Sequence, residues 1–435
     1  MDEIFHVPQA QRYCMDGMMN AEWDDKITTL PGLYVISVPY AMLVRLLGGN
    51  YCDVNTLRSI NVILLGGVLI SIFFVLMSRR NSQSTLPIVL KSLQLSTLPL
   101  IYFFAFLYYT DIGSILFLII GYAFARRSRF NLSALSCAVA ILFRQTNIIW
   151  TFWMALDTLV TWYESENKDS ETKPFALGMF IIFVINRMHI IVVRLAGYII
   201  LGVSFVVFVI INGGLVVGDR TNHIAVAHVP QVMYFSAFCV VFMMGELIFD
   251  VYRFYKNRGS IVKLIKHYAP LMIILTPIIA VLCIKYSYVH IFILSDNRHY
   301  LFYLWRRLFR IHINPGQIPL SILLAYSPIY AVCIIYLCSL LKGSGKSVLS
   351  ITCFVLCVCL NLIPLPLIEF RYFITPFIML NLNIYASKNI GEDKIHTTPS
   401  LINLSVYGVI NLLTLYMFIF KPFVGPDGEE ARIMW

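Results

Sequence analysis

The sequence predicts an all-α, polytopic membrane protein, and three observations carry that expectation. Of 435 residues, 59% are hydrophobic and 13% charged, against about 25% charged in soluble domains. The mean hydropathy is +0.77. The apolar residues lie in long runs, and a spanning helix needs about 20 of them, with shorter ones tolerated inside a bundle. The formal net charge of +10 is therefore no nucleic-acid signal. Polytopic proteins gather Lys and Arg in cytoplasmic loops, so the expected partner is the lipid bilayer, with no nucleic acid.

Taken in order, the chain opens on a polar stretch, MDEIFHVPQAQRYCMDGMMNAEWDDKITTLPGLY, unlike nearly everything after it. Six of the 23 carboxylates fall in the first 25 residues: Asp2, Glu3, Asp16, Glu22, Asp24 and Asp25. Such a stretch sits in water at one face of a membrane protein. Leu30–Leu47 contains Pro31, Pro39 and Arg45 and reads as an interfacial helix lying on the membrane. Residues 1–56 are thus expected to be an acidic segment with an interfacial helix, 57–420 a transmembrane bundle and 421–435 a short tail. Twelve spans are expected: Leu57–Met77, Leu86–Phe106, Ile112–Ala125, Leu132–Phe143, Ile148–Trp162, Ile190–Ile211, Val229–Phe249, Tyr268–Tyr286, Ile318–Leu341, Val348–Leu367, Phe373–Ala386 and Leu401–Phe420. Phe175–Arg194 reads as an amphipathic lead-in to a span. No signal peptide is expected, because the first apolar run comes late and lacks a cleavage site. There is no Gly-rich phosphate loop, HExxH motif or repeat.

The connecting loops alternate in charge. One set holds 16 basic residues, among them Arg79, Arg126, Arg253, Lys342 and Lys388; the other, leaving out the N-terminal segment, holds nine. The first set is cytoplasmic by the positive-inside rule. The polar clusters then fall on the opposite face: Asp2-Glu3, Tyr108–Asp111, Arg144–Asn147, Gly218–His223, Asp296–Tyr300 and Glu369–Tyr372. The structural alternative for any one of them is a helix end at the headgroups. Several, however, mix an acid, a base and an aromatic within five residues.

These clusters supply the parts of a site that moves a group carried on a lipid. Arg144, Arg220, Arg298 and Arg371 offer planar forks suited to phosphate oxygens. His299 and Tyr300 add neutral donors, and the aromatic run Tyr300–Trp305 suits the headgroup level and stacking on a sugar ring. Asp2 or Glu3 can act as a general base, worth roughly 10²–10⁴-fold in rate; the plainer reading is a helix N-terminus carrying favourable acids. The plainer reading of Arg298-His299 is an interfacial anchor, and that of Asp219-Arg220 a turn after Gly218. Asp2, Glu3 and His6 lack a further clustered metal ligand, and Cys353-x-x-x-Cys357-x-Cys359 lacks a nearby His or carboxylate, so no metal is expected. Cys14 and Cys52 lie in the polar first part and can pair in an oxidising compartment.

Together, MDEIFHVPQAQRYC, ITTLPGLY, FRQTNIIW, NGGLVVGDR, DNRHYLFYLWRR and EFRYF resemble one family in order from residue 1 to 373, and the closing IMW fits as well. They resemble the dolichyl-phosphate-glucose-dependent α-1,2-glucosyltransferases that finish the lipid-linked oligosaccharide in the endoplasmic reticulum. The resemblance implies a multi-pass GT-C-type fold with a lumenal active site and lumenal first segment and tail. It implies transfer of the last glucose from dolichyl phosphate glucose to Glc₂Man₉GlcNAc₂ on dolichyl pyrophosphate, with inversion and no cofactor. Carried over, the base is Asp2, with Glu3 second. Arg298 and His299 are first choices for the donor phosphate, Arg371 and Arg144 second. Asp219, Arg220, Tyr300 and Glu369 are candidates for sugar or acceptor contacts. The family carries a transmembrane helix just before the first motif, and the expectation is a chain lacking it.

Two other classes fit a polytopic chain. A transporter places charges mid-span and shows symmetry-related repeats, whereas these charges cluster at one face. A non-enzymatic regulator of a membrane channel predicts that Asp2→Asn is silent; an enzyme predicts that it abolishes activity.

Overall fold

The structure, a computed structural model, describes residues 3–17, 20–78, 85–167, 177–220, 224–288, 297–308, 320–386, 396–425, 428 and 430–435. The described residues are helical apart from loops, one hairpin and one isolated bridge. The helices are α1 (Glu3–Asp16), α2 (Gly32–Leu46), α3 (Val54–Met77), α4 (Leu86–Ser96), α5 (Pro99–Phe104), α6 (Asp111–Arg126), α7 (Phe130–Phe143), α8 (Asn147–Glu166), α9 (Leu177–Asn186), α10 (Met188–Arg194), α11 (Ala196–Asn212), α12 (Pro230–Phe242), α13 (Met244–Lys256), α14 (Ile261–Tyr286), α15 (Tyr300–Leu308), α16 (Leu320–Gly343), α17 (Val348–Leu362), α18 (Ile374–Tyr385) and α19 (Thr397–Phe420). Strands β1 (Phe423–Val424) and β2 (Glu430–Ala431) pair antiparallel.

Local chemistry sets several boundaries. Asp53 caps α3, its side chain accepting from the Asn55 N–H, and Ser260 caps α14 through the Lys263 N–H. Such caps satisfy amides that the first turn leaves without partners. Gly213 ends α11 in the left-handed region, at φ +72°, where glycine has no Cβ penalty.

Four described helices, α3, α14, α16 and α19, are long and apolar enough to cross a membrane. The count rises to six if the bent pairs α9–α10 (75°) and α12–α13 (69°) each form one span. The chain is thus an all-α, multi-pass membrane protein. Each of the twelve expected ranges contains described helix, but several helices are shorter than expected or broken, and Val348–Leu367 is helical only to Leu362. Leu86–Phe106 divides into α4 and α5 ahead of Pro99, and Ile190–Ile211 breaks at Leu195. Helix α8 has 20 residues but carries Asp157, Glu164 and Glu166. The stretch Leu30–Leu47, expected as a helix, holds α2.

The chain divides into two compact units. The first comprises residues 1–79, 104–224 and 346–357. Its core centres on Trp150 and Trp153, both fully buried; Trp153 stacks on Tyr122 at 5.6 Å, and Phe354 packs against both indoles. Gly32 sets α2 directly on α7: a Cβ there would lie 2.6 Å from the Leu142 backbone. The second unit comprises residues 80–103, 225–345 and 358–435. In it α14 and α12 pack on α16, and α4 and α13 on α19.

Candidate active site

Four of the six polar clusters meet within the first unit. Asp2 lies outside the described residues, so the position begins with its neighbour. Glu3, 6% exposed, is gripped by Arg58 in a two-pronged pair, Nε to Oε1 and Nη2 to Oε2, both 2.8 Å. The Tyr108 N–H donates to Oε1 at 2.8 Å. Three charge-assisted bonds occupy this carboxylate and tie the start of the chain to α3 and to the loop before α6. Along α1, the His6 Nδ1 lies 2.5 Å from the Tyr34 hydroxyl, joining α1 to α2. Ser37 shares a 2.5 Å hydrogen bond with the Tyr108 hydroxyl. Burial holds the phenols of Tyr34 and Tyr108 above the ordinary tyrosine range, so both stay protonated. The expected pair forms: Cys14 and Cys52 are disulfide-bonded across 38 positions of sequence.

The other clusters close on the same segment. Gln145 donates to the Thr28 carbonyl at 3.0 Å. Arg144, a candidate phosphate ligand, pairs with Asp111 at 3.1 Å. Asn147 donates to Ser114 Oγ at 2.8 Å and to the Ala140 carbonyl at 2.7 Å. The Asp219 N–H donates to the Asp25 carbonyl at 2.7 Å. Gly218, at φ +68°, sits where any Cβ would collide with the carbonyls of Asp25 and Ile27. Glycine is therefore required for NGGLVVGDR to dock on the acidic segment. Arg220 folds back on the end of α11, donating to the carbonyls of Asn212, Gly213 (3.0 Å) and Val216 (3.1 Å). A cation at a helix C-terminus is favoured by the helix dipole, so the geometry gives Arg220 a local capping contact.

The remaining two clusters meet within the second unit. Arg298 and His299 directly precede α15, which Tyr300 begins. The Arg298 carbonyl accepts from the Met434 N–H at 2.8 Å, and the Tyr300 N–H donates to the Met434 carbonyl at 3.0 Å. His299 Nδ1 lies 3.1 Å from the Trp435 carbonyl. The Trp435 ring packs against Tyr300 at 5.1 Å and against Phe370 at 6.0 Å. Phe370 opens the short 3₁₀ turn Phe370–Phe373. There Arg371 pairs with Glu369 and lies 5.7 Å over the Tyr372 ring. Burial pushes the Tyr300 phenol above its ordinary pKa. Its hydroxyl is buried with no hydrogen-bond partner among the described residues.

Sequence reasoning did not find Arg58, the tail contacts or two buried ion pairs. Lys91 bonds Glu246 at 2.6 Å, and Asn403 Nδ2 donates to the same carboxylate at 2.6 Å. Lys346 bonds Asp157 at 2.9 Å. A lone Lys91 inside an apolar run is the signal that points to the first pair. A cavity of about 250 Å³ in the second unit is lined by Lys91, Glu246, Asp250, Arg253 and His396. No member of the six polar clusters lines it. Among the described residues, no group of three His, Cys, Asp or Glu residues is placed to hold a metal ion.

Comparisons with known proteins agree with the pattern of motifs. A human protein named Dol-P-Glc:Glc(2)Man(9)GlcNAc(2)-PP-Dol alpha-1,2-glucosyltransferase is 32% identical to the chain, covering 100% of it and 93% of the relative. Relatives of the same name from Yarrowia lipolytica (32% identical; 100% and 92% covered) and Arabidopsis thaliana (29%; 100% and 94%) match as fully. No solved structure matches the chain. A model of the DIE2/ALG10 family matches residues 1–382, and the chain belongs to that family.

Proposed function

We propose that the chain is a membrane-bound glucosyltransferase. It moves the last α-1,2-linked glucose from dolichyl phosphate glucose to Glc₂Man₉GlcNAc₂ on dolichyl pyrophosphate. The observation that carries this reading is the full-length similarity to relatives of that name. The enzyme is a multi-pass protein of the endoplasmic reticulum membrane, of GT-C type, with about twelve spans in a bundle over residues 57–420. Residues 1–56 and 421–435 are lumenal. The Cys14–Cys52 disulfide supports that orientation, because disulfides persist in oxidising compartments such as the lumen.

The reaction is a single in-line displacement with inversion. The acceptor 2-hydroxyl oxygen attacks the anomeric carbon of the donor glucose, and the bond from that carbon to the phosphate oxygen breaks. The electron pair leaves with dolichyl phosphate, the hydroxyl proton passes to the base, and a β-linked donor yields an α-linkage. A phosphate leaving group is already stabilised, so the chemistry calls for no cofactor. Asp2 is the base. Glu3, bound by Arg58 and the Tyr108 amide, fits the role of holding Asp2's segment in place. Arg298 and His299 take the donor phosphate. Arg371 and Arg144, each paired with a carboxylate, stand second. Asp219, Arg220, Tyr300 and Glu369 serve the sugar or acceptor, with Tyr300 offering a hydroxyl that has no partner among the described residues.

Expression in cells lacking their own last glucosyltransferase tests the reading. Conversion of the two-glucose to the three-glucose lipid-linked oligosaccharide is expected. A well-expressed chain that leaves the two-glucose species unchanged contradicts it.

A further inference from the structure

We infer that the tail Glu430–Trp435 is a positioning element of the donor site and that Trp435 joins its two arginine motifs. The inference rests on the reading of Arg298 and His299 as donor-phosphate ligands. Both arginine motifs lie in short segments that the tail contacts. Arg298 and His299 lie in the loop that precedes α15, and Arg371 sits in a single 3₁₀ turn. The first motif is contacted from more than 130 residues away: His299 and Met434 form a parallel bridge. Met434 satisfies the Arg298 carbonyl and the Tyr300 amide, and the Trp435 carbonyl meets His299 Nδ1 at 3.1 Å.

The His299 contact has a chemical consequence. With Nδ1–H donated to the main-chain oxygen of Trp435, the tautomer and the ring orientation are set from the tail. The Trp435 ring then lies between Tyr300, at 5.1 Å, and Phe370, at 6.0 Å. It therefore fixes the spacing between the segment carrying Arg298 and the turn carrying Arg371. A phosphate held by two arginines from separate segments needs that spacing, because small misplacements of a positioning group cost rate steeply. The hairpin β1–β2 and the Arg432 contacts with the Phe418 and Ile419 carbonyls, 3.0 and 3.2 Å, anchor the tail to the end of α19.

The test is steady-state kinetics of the full chain in nanodiscs with donor and acceptor varied separately, for wild type, Trp435→Ala, Trp435→Phe and Arg298→Ala. Trp435→Ala is expected to raise the KM for dolichyl phosphate glucose about tenfold and leave the acceptor KM unchanged. Trp435→Phe, which keeps both ring contacts, restores the donor KM to within about twofold. A purely structural tail instead lowers the amount of active enzyme and moves both KM values together or neither; that result overturns the inference. Arg298→Ala separates the two levels of the account. A raised donor KM in Arg298→Ala with an unchanged one in Trp435→Ala refutes the tail's role alone. An unchanged donor KM in Arg298→Ala refutes the phosphate assignment and the inference with it.

Discussion

Of the two acids that open the chain, Glu3 is the one whose partners the structure describes. The sequence offers Asp2 and Glu3 as a pair of acids, and spacing alone does not rank them. The structure occupies Glu3 with three donors. Glu3→Gln therefore replaces an acceptor by an amide that opposes Arg58, and is expected to destabilise the first unit by about 1–3 kcal/mol. Thermal unfolding in detergent checks this, and an unchanged melting temperature contradicts it. Arg58 was not legible as the partner because it stands alone at the head of an apolar run, where a helix-end anchor reads the same. His228, fully buried, supplies a pH prediction. Burial pushes its imidazole down to about 4, opposed in part by the Leu365 and Pro366 carbonyls. An unfolded histidine titrates near 6.5, so between these values the unfolded chain binds the extra proton and acid favours unfolding. The contribution is complete above about pH 6.5 and is lost as pH falls toward 4. Melting temperature against pH is expected to fall over that window, and less so in His228→Asn.

At the scale of elements, the apolar runs were readable and their breaks were not. The α12–α13 bend of 69° falls at Met243, two residues before Gly245 and with no proline at the break. Its cause is tertiary. The Asn403 side chain of α19 accepts from the Gly245 N–H at 2.7 Å and also donates to Glu246. A Cβ at Gly245 would collide with the Pro399 carbonyl. Helix α19 thus sets the bend by close approach and by engaging Glu246, which Lys91 of α4 completes. Breaking a buried pair by removing one partner costs about 3–5 kcal/mol, whereas replacing both by apolar groups is often near neutral. Glu246→Gln is expected to reduce folded protein strongly, and Lys91→Met with Glu246→Leu to recover much of it; equal losses in both variants contradict the account. The first segment is stapled differently. Replacing Cys14 and Cys52 by Ser is expected to cost about 2–4 kcal/mol and to open residues 17–31 to limited proteolysis without cutting the spans. Unchanged protection of those residues shows that packing alone holds them.

At the scale of the whole molecule, the sequence order hides the architecture. The chain leaves its first unit at residue 79, returns at 104, leaves at 224 and returns at 346–357. No composition shift marks those crossings, because both units are built of the same apolar helices. Charge asymmetry was legible, since it needs only counting. Four polar clusters gather in one unit and two in the other, and each set is tied by contacts over long sequence distances. Gln145 reaches Thr28, Asp219 reaches Asp25, and Met434 reaches Arg298. The motifs named the participants, but their pairing depends on packing between helices that no local pattern encodes. On the proposed mechanism the base is Asp2, the neighbour in sequence of Glu3, which Arg58 binds. The most direct test is glucose transfer by microsomes from cells lacking their own last glucosyltransferase, comparing wild type, Asp2→Asn and Glu3→Gln at matched protein levels. The expected result is a three-glucose product from wild type, a loss of roughly 10²–10⁴-fold in Asp2→Asn, and a smaller loss in Glu3→Gln that tracks the amount of folded protein. Full activity in Asp2→Asn would contradict the central claim.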